Sequence, residues 1–143
     1  MTTGIRNCNP LNIRRVAGTR WKGEVLHPDG GPFVQFQSME WGIRAAFCIL
    51  STYARKHHIH CVRDIIRRWA PPSENDTRRY VSNVCAWTGF APLQRLTQCE
   101  WPQLVRAMAR QESGIVLDDS VIGRAFALYN AFNPNRSLEF MSE

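Results

Sequence analysis

The sequence lacks a long apolar run, a CxxC pair, an internal repeat and a low-complexity tract. Its longest apolar stretch, residues 45–50, is far shorter than a membrane span requires, so we expect no membrane-spanning helix. The chain has five cysteines, an odd number, and no CxxC pair. This count and spacing argue against a zinc ribbon and against a dense disulfide framework. Residues 1–6 have no apolar core of a secretory signal, so action outside the cytoplasm would require separate delivery.

The composition is that of a folded domain. A chain of 143 residues with 44% hydrophobic and 21% charged residues suits one globular domain, which we expect to span residues 1–143. The net charge of +6 favours a polyanionic partner, such as nucleic acid, an anionic membrane surface or a bacterial cell wall. The net charge alone does not distinguish among these three kinds of partner.

Apolar residues recur at helical spacing over most of the chain, which predicts a mainly α (α+β) fold with about five helices. The predicted helices cover roughly 39–56, 62–69, a segment that starts after residue 76, about 100–114, and a segment that starts after Asp118 or Asp119. Residues 4–37 are instead rich in Asn, Gly and Pro. Two extended segments, 21–26 and 33–36, flank the turn signal Pro28-Asp29-Gly30-Gly31-Pro32 and predict a small β-hairpin near the N-terminus.

Glu112 is the first candidate for chemistry. It falls in the last turn of the fourth predicted helix, where the helix dipole disfavours a carboxylate by about 0.3–1 kcal/mol. A carboxyl group whose pKa is raised in this way suits a general acid, which glycosidic cleavage requires. The alternative is a solvated surface glutamate paired with Arg106 or Arg110.

The segment Gln111-Glu112-Ser113-Gly114 resembles the Glu-Ser motif of soluble lytic transglycosylases. That resemblance implies that Glu112 is the single catalytic acid and base. Residues 69–81 resemble a later segment of the same enzymes, Glu-Thr-x-x-Tyr-Val, although Asn75 and Asp76 separate Glu74 from Thr77 here. The two motifs occur in reversed order, so we expect a circularly permuted lysozyme-like arrangement that brings Glu112 close to Tyr80 and Asn7.

Several blocks in order resemble a family of small phage-associated lytic or virion structural proteins with a lysozyme-like fold. The blocks are residues 4–14, Trp21-Lys22-Gly23, Phe33-x-x-Phe36, Gly42-Ile43-Arg44-Ala45 and residues 69–80. This family usually has Asn where the chain has Cys8, which leaves the role of Cys8 open.

The predicted substrate-binding residues are Asn7, Asn9, Asn12, Trp21, Glu74, Thr77, Tyr80 and Ser113. Asparagine amides suit the N-acetyl and hydroxyl groups of amino sugars, although they also satisfy turn backbone. Tyr80 could orient Glu112 or belong to the core, and Glu74 could be a second carboxylate or a helix-start charge. Trp21 is the best candidate for a sugar-stacking surface. We expect no metal and no cofactor.

Two rival functions remain open. A cysteine endopeptidase or amidase would pair Cys8 with His27, His57, His58 or His60. A nucleic-acid-binding module would use a basic patch of Arg63, Arg67, Arg68, Arg78 and Arg79, although no helix-turn-helix or RNA-binding signature accompanies these residues. A zinc site at His57, His58 and His60 is weak, because no HExxH motif is present.

We therefore expect a monomeric enzyme that cuts the MurNAc–GlcNAc bond of peptidoglycan glycan strands, with no nucleic-acid partner. Glu112 would protonate the glycosidic oxygen and then accept a proton from the sugar C6 hydroxyl, which gives an anhydro-sugar. The protein would be made in the cytoplasm and reach the periplasm and cell wall through a holin, a virion or a secretion system. Delivery as an antibacterial toxin would imply an immunity protein that plugs the groove.

Overall fold

The computed structural model describes residues 2–26 and 31–132 and confirms a mainly helical fold. The five predicted helices are present, and a one-turn helix that was not predicted precedes them. In chain order the helices are α1 (Thr3–Arg6), α2 (Met39–His57), α3 (Val62–Trp69), α4 (Thr77–Thr88), α5 (Trp101–Ser113) and α6 (Asp119–Ala131), with a 3₁₀ turn at Gln98–Glu100 before α5. No helix of the described residues has the length and apolarity to cross a membrane.

Local capping sets the helix boundaries. The Ser38 hydroxyl accepts from the Trp41 N–H at 3.4 Å and begins α2. The Asp76 carboxylate accepts from the Arg79 N–H at 3.1 Å and begins α4. Helix α5 ends at Gly114, which has a φ of 69° and therefore adopts the left-handed conformation that glycine allows. Glu112 consequently lies in the last turn of α5, as the sequence predicted.

Helix α2 lies at the centre of the core. Phe47 of α2 packs edge-on against Phe126 of α6, with ring centroids 5.1 Å apart, and also contacts Tyr129 at 5.8 Å. Helices α4 and α5 pack against each other, with Leu104 and Met108 of α5 fully buried. Helices α4 and α5 carry two residues of the candidate site, Tyr80 and Glu112.

The predicted β-hairpin does not form. The described residues contain no strand, only isolated antiparallel bridges, two of which are Arg14–Phe33 and Glu24–Phe36. Residues 33–36 have backbone contacts with two neighbouring segments: the Val34 N–H donates to Ile13 O at 3.0 Å, and the Gln35 carbonyl accepts from the Val25 N–H at 2.8 Å. Each contact is an isolated bridge, and no continuous ladder forms with either neighbour among the described residues. Of the predicted turn, Pro28, Asp29 and Gly30 lie outside the described residues.

The N-terminal loop is held against the core by Asn9. This buried side chain donates to the carbonyls of Ile13 and Val34 at 2.9 and 2.8 Å, and its carbonyl accepts from the Ile13 N–H at 2.9 Å. The loop also lies directly on α2, since a Cβ at Gly42 would overlap the carbonyl oxygen of Cys8. These contacts fix residues 9–13 relative to the helices.

Candidate active site

Glu112 opens into a groove with a cavity of about 590 Å³. Apolar and aromatic side chains make up one part of its wall: Leu11, Ile13, Trp21, Phe33, Tyr53 and Trp69. Polar and charged side chains supply another part: Asn12, Arg14, Arg68, Glu74, Asn75 and Glu112. Below, this cavity is called the Glu112 groove. Aromatic walls with a few convergent polar groups are typical of a small-molecule or saccharide site.

Each carboxylate oxygen of Glu112 accepts a hydrogen bond from a different part of the chain. The hydroxyl of Tyr80, on α4, donates to Oε2 at 3.0 Å. The amide of Asn12, in the N-terminal loop, donates to Oε1 at 3.0 Å and to the backbone carbonyl of Glu112 at 3.3 Å. The carboxyl group is therefore held in one orientation by two donors that carry no net charge.

Ser113 contributes by anchoring the loop that carries Asn12. Its buried hydroxyl donates to the Pro10 carbonyl at 2.7 Å. Gly4 makes room for this contact, because a Cβ there would overlap the Ser113 hydroxyl oxygen. Asn12 itself has a φ of 54°, a left-handed conformation that asparagine tolerates better than most residues. The adjacent residues Glu112 and Ser113 thus bind the same loop from one helix end.

Burial dominates the electrostatics of Glu112. Removal from water raises the pKa of this carboxyl group, while the hydrogen bonds from Asn12 and Tyr80 and the positive charge of Arg14 oppose the rise. Burial and the neighbouring Glu112 charge raise the pKa of Tyr80 well above its usual value. Tyr80 therefore stays a neutral donor while Glu112 can hold or release a proton, which is the requirement for a general acid and base.

The groove brings together some of the predicted substrate-binding residues. Asn12, Trp21 and Glu74 line it beside Glu112, with Trp21 half-buried and Glu74 exposed. Tyr80 reaches the site through its hydroxyl but is otherwise buried, with an exposed fraction of 4%. Tyr80 therefore belongs both to the core and to the support of Glu112.

Four other predicted residues are not among the groove-lining residues and have structural contacts instead. Asn9 is buried on the backbone of the N-terminal loop, and Ser113 is buried on Pro10. The Thr77 hydroxyl donates to the Ala70 carbonyl at 2.6 Å, which joins the start of α4 to the end of α3. Asn7 forms no hydrogen bond with Glu112; its side-chain carbonyl accepts from the Gln35 amide at 3.3 Å.

Two arginines of the groove were missed from the sequence. The Arg14 guanidinium lies 5.2 Å from the centre of the Phe33 ring, and that of Arg68 lies 5.3 Å from the Tyr53 ring. Stacking on aromatic faces holds a guanidinium in place without neutralising it. The signal for Arg14 was its position two residues after Asn12. Arg68 offered no signal beyond its place in the basic patch.

No protein-family model matches the chain. Protein P5 of Pseudoalteromonas phage PM2 is 40% identical over 113 residues, which are 78% of this chain and 71% of that protein. The chain belongs to the Protein P5 family. The likeness to Protein P5 therefore covers most of both chains.

Cys8 has no histidine partner at His57 or His58 in this member of the Protein P5 family. Its backbone packs on Gly42, near the start of α2, whereas His57 ends that helix about 22 Å away at the α-helical rise. His60 is three residues further on, and an extended chain covers at most about 11 Å in three residues. Burial and the charge of Glu40 also raise the pKa of the Cys8 thiol, which disfavours the reactive thiolate. His27 lies outside the described residues.

The structure divides the predicted basic patch. Arg68 lines the Glu112 groove, whereas Arg63, Arg67 and Arg78 line a separate cavity. Arg79 is exposed and lines neither cavity. Within residues 2–26 and 31–132 no cluster of His, Cys, Asp and Glu is arranged to hold a metal ion, and all five cysteines are free thiols.

Proposed function

We propose that this Protein P5 family member cleaves the MurNAc–GlcNAc bond of peptidoglycan as a lytic transglycosylase, with Glu112 as its single catalytic acid and base. The observation that carries the proposal is the arrangement at Glu112. A half-buried carboxyl group with a raised pKa opens into an aromatic-lined groove, and neutral donors hold both of its oxygens. Retaining and inverting hydrolases pair two carboxylates, whereas one suffices when the substrate supplies its own nucleophile.

The reaction has two proton transfers. Glu112 first gives its proton to the glycosidic oxygen as the bond from that oxygen to C1 of MurNAc breaks. The C6 hydroxyl oxygen of the same sugar then bonds to C1, and its proton passes to the Glu112 carboxylate. The products are a 1,6-anhydro sugar and a free hydroxyl on the leaving sugar, and no water is consumed.

The two hydrogen-bond donors at Glu112 act on its carboxylate form, which exists between the two proton transfers. When Glu112 loses its proton, the Tyr80 hydroxyl and the Asn12 amide stabilise the carboxylate that remains. Because Tyr80 has a strongly raised pKa, it does not compete as a proton source. Arg14 adds a positive charge that favours the carboxylate at the same stage.

A lysozyme-like fold is part of the proposal. Tyr80 and the N-terminal loop both reach Glu112, as a circularly permuted arrangement requires, although the loop does so through Asn12 rather than Asn7. The relationship to a phage protein favours a role in phage entry or lysis over delivery as a toxin. In either setting the substrate would be the glycan strand of the cell wall.

A two-carboxylate hydrolase is the second candidate, because Glu74 lines the same groove as Glu112. Such an enzyme would release reducing sugars instead of anhydro-sugars. Glu74→Gln separates the two mechanisms: it should leave a transglycosylase active and inactivate a hydrolase that depends on both groups.

The deciding experiment is mass spectrometry of purified sacculi after digestion. The expected products are anhydromuropeptides from the wild type and none from Glu112→Gln. Reducing muropeptides would favour the hydrolase, and cut peptide stems with intact glycan would contradict both glycosidase mechanisms. Circular dichroism of the Glu112→Gln protein checks that it remains folded.

A further inference from the structure

The Glu112 groove does not end at Glu74. The next residue, Asn75, lines both the groove and a second cavity of about 440 Å³ between α3 and α4. The second cavity is called the basic cavity because three arginines line it: Arg63, Arg67 and Arg78. The groove and the second cavity therefore adjoin at Asn75, and the lining of the second cavity is positively charged.

The arginines of the basic cavity are placed to act together. Arg63 and Arg67 are four residues apart on α3 and so share one helix face, while Arg78 comes from the first turn of α4. Arg63 pairs with Asp64 at 3.1 Å, but both side chains are 42% exposed, so this pair offers little stabilisation. Neither Arg67 nor Arg78 forms an ion pair with any described residue.

The remaining walls limit what the cavity can bind. Asp76 is its one acidic residue among those described, and the Asp76 carboxylate already caps α4 through the Arg79 N–H. Pro72, Val81 and Pro92 form an apolar part of the wall. A fitting ligand thus carries more than one negative group together with small apolar groups.

We infer that the basic cavity binds the peptide stem of the peptidoglycan strand whose glycan occupies the Glu112 groove. This inference rests on the proposed function. A stem is short, branches directly from MurNAc, and combines free carboxylates with alanine methyl groups. Its carboxylates match the three guanidinium groups, and its methyl groups match the proline and valine wall. The stem would therefore supply affinity for the strand that is cut.

The test compares two soluble substrates prepared from one source. One is uncross-linked glycan that carries its peptide stems, and the other is the same glycan after an amidase has removed them. The variant is Arg67→Gln/Arg78→Gln, and the matched control is Arg79→Gln, which removes an adjacent exposed charge outside the cavity. We expect the double variant to raise KM about fivefold to tenfold on stem-bearing glycan, with kcat unchanged. On bare glycan, and for the control on both substrates, KM should stay at the wild-type value.

Equal KM values for wild type and double variant on stem-bearing glycan would overturn the inference, as would the same rise on both substrates. Calorimetric titration with a free stem peptide separates this failure from failure of the proposed function. If the wild type cleaves neither substrate, the proposed function fails, while stem binding that the double variant loses still supports the cavity. If the wild type binds a short DNA duplex or inorganic phosphate more tightly than the stem, and the double variant loses that binding, the inferred ligand is wrong.

Discussion

The hydroxyl group of Tyr80 donates to Oε2 of Glu112 at 3.0 Å, joining the start of α4 to the end of α5. Tyr80 is buried, so the contact links the core of the molecule to its candidate acid. Removing the Tyr80 hydroxyl should therefore change the proton affinity of the Glu112 carboxyl group.

Replacing Glu112 by Gln should lower glycan cleavage by at least about a thousandfold, because the proposed acid and base is lost while the side-chain shape is kept. Release of soluble muropeptides from sacculi measures the effect. Glu74→Gln, which changes another carboxylate that lines the groove, is the matched control and should retain activity. Wild-type activity in Glu112→Gln would remove Glu112 from the mechanism.

Tyr80→Phe should move the alkaline limb of the pH–rate profile to higher pH. The lost hydrogen bond lowers the pKa of Glu112 in the wild type, so its removal lets that pKa rise further. We also expect kcat to fall by about tenfold, since one donor that stabilises the carboxylate is gone. Tyr53→Phe, which removes a groove hydroxyl that forms no hydrogen bond with Glu112, should leave the pH limb in place. An unchanged profile in Tyr80→Phe would mean that this hydrogen bond does not control the reacting group.

Glu112→Gln should be more stable than the wild type at neutral pH. Because burial raises the folded-state pKa of Glu112, the folded protein binds a proton more tightly than the unfolded chain does. The associated stability is present below the unfolded pKa, about 4.3, and is lost as the pH rises through the folded-state value. Gln carries no such penalty, so the advantage of the variant should vanish in acid. Chemical denaturation at pH 7 and pH 4 measures it, and a pH-independent difference would contradict the assignment.

Asn9→Ala should reduce the free energy of unfolding by about 2–4 kcal/mol, because it leaves buried backbone groups of Ile13 and Val34 without partners. Asn7→Ala is the matched control, since the Asn7 side chain is only partly buried. It should change stability by less than about 1 kcal/mol. Urea denaturation compares the two variants. Equal losses would show that Asn9 does not anchor the loop.

The helices could be predicted from the sequence because their signals are local. Asp76 begins α4 and Gly114 ends α5 through contacts within a few residues. The predicted β-hairpin was wrong, since residues 33–36 form only isolated bridges, with Arg14 on one side and Glu24 on the other. Tertiary contacts decide which neighbour a short extended segment pairs with, and no local sequence pattern contains that information.

The candidate site could be predicted only in part, because tertiary contacts also decide which polar residues reach it. Motif resemblance pointed to Glu112 and Tyr80, and the structure brings these two together. The asparagines of the loop could not be ranked, because Asn9 and Asn12 have the same chemistry and differ only in what surrounds them after folding. Their catalytic and binding roles remain predictions.

The contact between Asn12 and Glu112 joins residues one hundred positions apart. During synthesis the loop leaves the ribosome long before the helix that carries the carboxyl group. A partly made chain that ends before α5 consequently has the Asn12 donor of the site but not the Glu112 carboxyl group. The proposed lytic activity would therefore appear only once α5 has been made and has docked against the N-terminal loop.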